Sequence, residues 1–130
     1  IEATGQLADI TNNYFKDRGL ENAHIFHKDI FDMDFVFKVL SQLDKKRVIF
    51  MFQVVSALEF FQRDFTKIFL KEISEKADYF VVSWALKSLS GKNLFEISRG
   101  WLTGFINENF DILNEFEHKD EKFIIFKKSE

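Results

Sequence analysis

The order of apolar and polar residues predicts helices that alternate with strands along the chain. Apolar residues recur at helical spacing in residues 7–15, where Gly19 is a suitable stop, and again in 33–43, 56–77 and 94–106. We therefore expect four helical regions. In the third, Ser56 and Glu59 have the spacing of a capping box, but a start nearer Asp64 is equally consistent.

Apolar runs between these regions predict five strands. Residues 22–31 are a short apolar stretch with a strand end at Asp29, and residues 47–55 and 78–84 are continuous apolar runs. Such runs are typical of strands that are buried on both faces of a parallel sheet. Residues 110–118 and 122–128 are separated by a charged turn, which predicts an antiparallel hairpin.

This alternation favours an α/β fold with a mostly parallel sheet and an antiparallel last strand. The 130 residues suffice for one domain with a core, and no repeat, low-complexity tract or linker interrupts them. We therefore expect a single domain over residues 1–130. The chain begins at Ile1, without methionine, in a segment typical of the middle of a protein, so we expect a missing N-terminal segment of the parent protein.

Composition excludes several kinds of chemistry. The chain has no cysteine, so it forms no disulfide, thiolate metal site or cysteine nucleophile, and it fits a reducing cytoplasm. No apolar run approaches the ~18–20 residues that span a bilayer, so no membrane contact is expected. The net charge of −3 gives no general attraction for a polyanion, although a local patch can still bind one.

The strand predicted at 78–84 runs into an unusually long polar turn. Two hydroxyls, two cations and a glycine there suit a nucleic-acid phosphate, and the residues concerned are Lys87, Ser88, Ser90, Gly91 and Lys92. The alternative is a solvated turn. Trp84 has two interpretations as well, because it can stack on a flipped base or pack in the core, and core packing is slightly favoured.

Two segments resemble a known family. "RVIFMFQVVSALE" and "YFVVSWALKSLSGK" are similar to strands of the ribosomal RNA guanine-N7 methyltransferases of aminoglycoside resistance and their archaeal relatives, which are class I S-adenosylmethionine-dependent enzymes. The matching motifs are Leu58-Glu59 and Ser88-Leu89-Ser90-Gly91-Lys92. The ending is also similar, with Glu121 at an often acidic position. The resemblance covers about residues 1–128.

The resemblance implies a Rossmann-like methyltransferase sheet that lacks its first strand in this chain. The family's first strand and glycine-rich loop have no counterpart, since Gly5 stands alone and no G-x-G pattern occurs. That strand lies at the centre of such sheets, so its loss leaves unpaired backbone groups inside the sheet. Cofactor binding by these residues alone is therefore an open question.

The resemblance also implies roles for particular residues. Glu2 would accept hydrogen bonds from the ribose hydroxyls of S-adenosylmethionine, Asp29 would accept from its adenine amino group, and Ile30 would pack on the ring. Phe52 is a further cofactor-binding candidate. The alternative for Asp29 is a strand-terminal residue that turns the chain.

Gln53 and Ser88 are the candidate catalytic residues. Gln53 closes a strand at the carboxyl edge, where ligands bind in open α/β sheets, and relatives often have lysine there. Glutamine can hydrogen-bond a target base but cannot act as a general base.

Three other motifs give little or no indication of a functional site. His24 and His27, three residues apart in a strand, would point to opposite faces, so no metal site is expected. "SLSGKN" lacks the first glycine and the Ser or Thr of a Walker A loop. The basic residues in 44–47 and 127–128 are more typical of solvated strand ends than of RNA contacts.

The function implied by the resemblance is methyl transfer to RNA, in particular to guanine N7 of small-subunit ribosomal RNA. The absence of cysteine agrees with this, because methylation at pyrimidine C5 generally requires a covalent thiolate. Two alternatives remain: a methyltransferase of a small molecule or protein, and a non-catalytic α/β interaction module.

Overall fold

A computed structural model describes residues 1–86 and 100–129 of the chain. Its elements are α1 (Gly5–Asp17), α2 (Met33–Gln42), β1 (Val48–Phe52), α3 (Val55–Phe61), α4 (Phe65–Ile73), β2 (Tyr79–Ala85), α5 (Gly100–Asn109), β3 (Phe110–His118) and β4 (Glu121–Lys128). The chain divides into two compact units, Ile1–Val39 and Leu40–Glu130. The single domain expected over residues 1–130 stays a prediction.

The first unit contains α1, which forms where the apolar spacing predicted it. Gly19 follows the helix with a φ of 67°, a left-handed conformation that glycine adopts without strain. The predicted strand in residues 22–31 is wrong in extent, because the chain forms a single parallel bridge there, between Glu2 and His27. Hydrogen bonds next to the bridge explain why the strand is not longer. The Asn12 side chain bonds both the N–H and the C=O of Ile25, which removes those groups from strand pairing.

The second unit contains a four-stranded sheet in the order β1-β2-β4-β3. β1 and β2 are parallel, and β4 pairs antiparallel with both β2 and β3. Three strands therefore run in one direction and the last strand runs against them. This confirms the α/β, Rossmann-like sheet with an antiparallel last strand that the sequence predicted.

One face of this sheet is the core of the second unit. Successive strand residues point to opposite faces, and the apolar side chains on the central part of this face are buried. Its members include Met51, Phe80, Val82, Trp84, Phe110, Ile124 and Phe126, which are buried together with residues of α4 and α5.

The other face differs from the expectation for β1. A continuous apolar run predicted burial on both faces, but Phe50 is 62% exposed and Val48 and Phe52 are also exposed. β1 is also the end strand of the described sheet, so it has a neighbouring strand on one side only. The expectation of a doubly buried strand is therefore wrong for β1 in this structure.

The region predicted as one helix over residues 56–77 contains two helices. α3 ends at Phe61, and α4 begins at Phe65 after Asp64, whose φ is 61°. The carboxylate of Glu59 accepts the N–H of Asp64 at 2.7 Å and that of Thr66 at 2.9 Å. Glu59 therefore caps α4 across the break, so a helix start near Asp64 is confirmed.

Candidate functional site

In the first unit, the structure places Glu2 and Asp29 at the same end of two parallel segments. The N–H of Glu2 donates to the C=O of Phe26 at 2.8 Å, and the N–H of Lys28 donates to the C=O of Glu2 at 3.2 Å. Asp29 follows Lys28 directly. The two carboxylates that the sequence proposed for the nucleoside are thus brought to one edge.

The start of α1 lies very close to this bridge. A Cβ atom on Gly5 would lie 2.9 Å from Cε1 and Nδ1 of the His27 ring, closer than side chains normally approach. Only a glycine fits at position 5 without movement of His27. Gly5, which the sequence offered only as an isolated glycine, therefore permits close packing beside Glu2.

Each carboxylate uses one oxygen locally and leaves the other without a described partner. Glu2 Oε1 accepts the N–H of Thr4 at 2.8 Å, and Asp29 Oδ1 accepts the N–H of Phe31 at 2.9 Å. Asp29 is exposed and Ile30 is half-buried. Asp29 does turn the chain, as the alternative interpretation held, and its second oxygen can still accept a hydrogen bond.

This acceptor set fits the nucleoside half of S-adenosylmethionine. Ribose hydroxyls and an adenine amino group are donors, and two carboxylate oxygens at neighbouring strand ends can accept from them. The other half is not matched, because the sequence contains no G-x-G loop for the methionine part. The residues present therefore fit the cofactor in part.

In the second unit, Phe52 and Gln53 lie at the carboxyl end of β1. Gln53 has a φ of 55°, a left-handed conformation that costs a non-glycine residue of order 1–3 kcal/mol. Its N–H donates to the C=O of Ser83 at 3.0 Å, which fixes the backbone against β2. The Gln53 side chain is exposed and has no hydrogen-bond partner among the described residues. Its amide is therefore available to a ligand at this edge.

A row of side chains crosses all four strands beside Gln53. Phe52, Ser83, Phe123 and Phe116 are in register on one face of the sheet. The Phe52 and Phe123 ring centroids are 6.2 Å apart, and Phe116 stacks on Phe123 at 4.9 Å. The sequence analysis missed Phe116 and Phe123, although alternation in β4 and β3 could have indicated their common face. The row offers aromatic surface to a planar ring.

Ser83 and Glu121 tie the end of β2 to the start of β4. Ser83 is fully buried, and its Oγ donates to Glu121 Oε1 at 2.5 Å. The N–H of Leu86 also donates to the C=O of Asp120 at 2.7 Å. The polar segment that follows Leu86 thus departs from a firmly held strand end. This gives the acidic residue noted at position 121 a structural role.

Trp84 lies on the core face of β2 and is 3% exposed. Its neighbours on the same face, Phe80 and Val82, are fully buried. This position agrees with core packing, the slightly favoured interpretation, and does not present the ring to a base.

Five predicted site residues lie outside the described part of the chain: Lys87, Ser88, Ser90, Gly91 and Lys92. Asp29 and Gln53 belong to different units. The convergence of Asp29, Gln53 and Ser88 on one cleft therefore stays a prediction.

Residues 1–86 and 100–129 lack two features of other kinds of protein. These residues contain no group of three or more histidine or acidic side chains that could hold a metal ion. No helix in the same part of the chain is long and apolar enough to cross a membrane.

Comparison with known proteins gives structural neighbours only. No protein-family model and no curated protein sequence matches the chain. An rRNA methylase from Escherichia coli matches with a TM-score of 0.66 and 16% identity, over 95% of this chain and 45% of that one. The 16S rRNA methylase ArmA matches with a TM-score of 0.58 and 19% identity, over 94% and 59% respectively.

A third neighbour was solved with a ligand. The 16S rRNA methyltransferase RmtF, in complex with S-adenosyl-L-homocysteine, has a TM-score of 0.51 and 14% identity, over 70% of this chain and 36% of that one. These likenesses confirm the resemblance to rRNA methyltransferases at the level of the fold. The chain spans about half the length of the first two structures, 45% and 59%.

Proposed function

We propose that this chain is part of an S-adenosylmethionine-dependent methyltransferase that acts on RNA in the cytoplasm, with guanine N7 of small-subunit ribosomal RNA as the target. The observation that carries the proposal is the pairing of Glu2 with His27, which brings the carboxylate-bearing residues Glu2 and Asp29 to one edge. The rRNA methyltransferase fold of the neighbours supports RNA as the substrate class.

Each candidate residue has a defined task in this proposal. Glu2 accepts from the ribose hydroxyls, Asp29 accepts from the adenine amino group, and the half-buried Ile30 packs against the ring. Phe52 supplies aromatic surface, and the exposed amide of Gln53 hydrogen-bonds the target base. Trp84 is left out of the RNA contacts because it is buried.

The polar turn completes the RNA side of the proposal. Ser88 positions the target beside Gln53, and the neighbouring polar residues bind the adjacent phosphate; these are Lys87, Ser90, Gly91 and Lys92. When bound, S-adenosylmethionine supplies an electrophilic methyl group. Guanine N7 carries a lone pair in the neutral base, so no residue of this chain has to remove a proton. The task of the protein is then to hold N7 in line, the proximity effect.

A further segment of the parent protein belongs to this proposal. In the described sheet, β1 has a neighbour on one side only, and Val48, Phe50 and Phe52 on one face are exposed. Unpaired strand edges and exposed apolar residues are ordinarily covered. We propose that a strand elsewhere in the protein pairs along β1, and that its loop holds the methionine part of the cofactor.

The direct test is methyl transfer by the full-length protein to isolated 30S subunits. N7-methylguanine makes RNA sensitive to cleavage by borohydride and aniline, so the target should appear as one new cleavage site. Methylation without such cleavage would keep the enzyme class but refute N7. If a small molecule or a protein is methylated instead of RNA, the first alternative replaces the proposal.

Replacing Asp29 with asparagine should weaken S-adenosylmethionine binding by about 1–3 kcal/mol, measured by calorimetric titration of the full-length protein. Asparagine retains an oxygen for the N–H of Phe31, so the turn survives. Its amide nitrogen then faces the adenine amino group, where a donor meets a donor. Asp29→Ala also loses the hydrogen bond to the N–H of Phe31, so this variant should bind S-adenosylmethionine at least as weakly.

Asp32→Asn is the matched control for this substitution. Asp32 is also exposed, and its Oδ1 accepts the N–H of Phe35 at 3.0 Å, a contact that asparagine retains. Its cofactor affinity should equal that of the unmodified protein. Equal affinity of the Asp29 and Asp32 variants would refute the adenine contact. An unmodified protein that does not bind the cofactor would favour the non-catalytic module.

A further inference from the structure

A basic groove lies at the edge of the sheet where β1 and β2 begin and β4 ends, opposite the edge that carries Gln53. Its volume is about 680 Å³, within the range of ligand-binding pockets. Six of the chain's 18 lysine and arginine residues line it, so the charge is concentrated here although the net charge is −3. They are Lys45, Lys46, Arg47, Lys76, Lys127 and Lys128.

Arg47 builds the groove and is not free for a ligand. Its guanidinium donates to the C=O of Leu43 at 2.7 and 3.0 Å and to the C=O of Lys76 at 3.0 Å. Its N–H donates to Asp78 Oδ2 at 2.7 Å, and its C=O accepts the N–H groups of Asp78 and Tyr79. Arg47 therefore joins the segment before β1 to the segment before β2.

The acidic residues around the groove already have partners. Glu75 forms an ion pair with Lys128, and Asp78 is engaged by Arg47. Lys127 lies 3.8 Å from Asp111. These ion pairs take Lys127 and Lys128 from the cations available for a ligand and offset the charges of Asp111 and Glu75, whereas Asp78 keeps its charge.

Three ammonium groups remain available. Lys45, Lys46 and Lys76 are exposed, and their ammonium groups have no hydrogen bond or ion pair among the described residues. Lys45 and Lys46 precede β1, whereas Lys76 precedes β2, and Arg47 holds these two segments together. The groove thus combines a fixed backbone with three unpaired positive charges.

This arrangement suits phosphate groups. Lysine binds phosphate as a point charge, and phosphate contacts provide most of the affinity of proteins for nucleic acids. A membrane surface is the weaker candidate, because the lining offers few apolar side chains to add insertion to the attraction of its lysines for anionic lipids. A chain of phosphates is therefore the better ligand.

We propose that the basic groove binds the phosphate backbone of RNA, as a second contact remote from the methyl-transfer edge. The choice of RNA among polyphosphates rests on the proposed function. Binding at two opposite edges of the sheet would hold a folded RNA in a defined orientation. The groove would supply affinity without reading sequence, since phosphate contacts carry no sequence information.

The test compares two triple variants of the full-length protein with the same net charge. One replaces Lys45, Lys46 and Lys76 with glutamine, and the control makes the same replacement at Lys16, Lys38 and Lys119, which are exposed and outside the groove. Binding of a fluorescein-labelled RNA hairpin is followed by anisotropy over a range of salt concentrations.

The groove variant should bind the hairpin about tenfold or more weakly, and the slope of log K against log salt should fall by about 2. The control should retain the affinity and slope of the unmodified protein. Equal losses in both variants, or no loss in the groove variant, would overturn the proposal. Displacement of the RNA by inorganic phosphate at the same phosphate concentration and ionic strength would also overturn it. So would preferential binding of the protein to phosphatidylserine vesicles.

Titration with S-adenosylmethionine separates this proposal from the proposed function. The groove variant should retain the cofactor affinity of the unmodified protein, because none of the three substituted lysines is a proposed cofactor-binding residue. RNA binding through the groove without cofactor binding would support the groove and refute the methyltransferase. If the protein binds the cofactor and the groove variant has unchanged RNA affinity, the groove is refuted and the methyltransferase is supported.

Discussion

Replacing Phe126 with alanine is expected to lower the free energy of unfolding by about 3–5 kcal/mol. Phe126 is fully buried in β4, at the centre of an aromatic cluster in the second unit. Its ring stacks on Phe80 at 5.2 Å and meets Phe110 edge-on at 5.0 Å. The substitution removes both contacts and leaves a cavity that close-packed neighbours fill only in part.

Urea unfolding followed by tryptophan fluorescence measures this loss, because Trp84 is buried on the same face of the sheet. Phe60→Ala is the matched control, since Phe60 is 84% exposed, and its effect should stay within about 0.5 kcal/mol. Phe126→Leu preserves most of the side-chain volume, so its loss of stability should lie between those of Phe126→Ala and Phe60→Ala. A Phe126→Ala protein as stable as the Phe60→Ala protein would contradict the described core.

Replacing Glu59 with alanine is expected to cost about 1.5–3 kcal/mol of stability, the range for a hydrogen bond to a charged group. The carboxylate accepts two N–H groups at the start of α4, where the side chain of Asp64 makes no capping bond. Without Glu59, both donors lose their partner. The helix they begin buries Phe65, Phe69 and Leu70, so its loosening should reach the core.

Glu72→Ala controls for the loss of one negative charge near α4. Glu72 is exposed on that helix and has no described hydrogen bond, so a change within about 0.5 kcal/mol is expected. Glu59→Gln retains one acceptor oxygen and should lie between Glu59→Ala and the control. Should Glu59→Ala equal Glu72→Ala in urea unfolding, the cap would be refuted. Glu59, part of the Leu-Glu motif of the resemblance, would then need another role.

The helix break at this motif shows where local patterns stop being sufficient. Apolar spacing in residues 56–77 is compatible with one helix or with two, because both bury the same face. The choice depends on the left-handed backbone at Asp64 and on a carboxylate five residues earlier in the chain. Sequence analysis treated the two starts as alternatives, but the structure contains both, because α3 begins at Val55 and α4 begins at Phe65.

The candidate site was likewise predictable only in part from the sequence. Gln53 was predictable as a polar residue at a strand end, since it follows the apolar run 48–52, whereas Glu2 and Asp29 were assigned through the resemblance. The parallel bridge that brings Glu2 beside Asp29 was implied only by the resemblance. The aromatic row through Phe116 and Phe123 was missed, because it depends on β4 lying between β2 and β3.

By itself, the sequence determined the position of the four strands in the second unit and excluded cysteine chemistry. Periodic burial is a property of neighbouring residues, so the chain records it locally. The tertiary structure alone decided that Trp84 points into the core, that β1 exposes one apolar face and that Lys45 and Lys76 share a groove. Each depends on pairing between segments some 30 or more residues apart, such as Arg47 with Asp78, and such pairing leaves no local pattern.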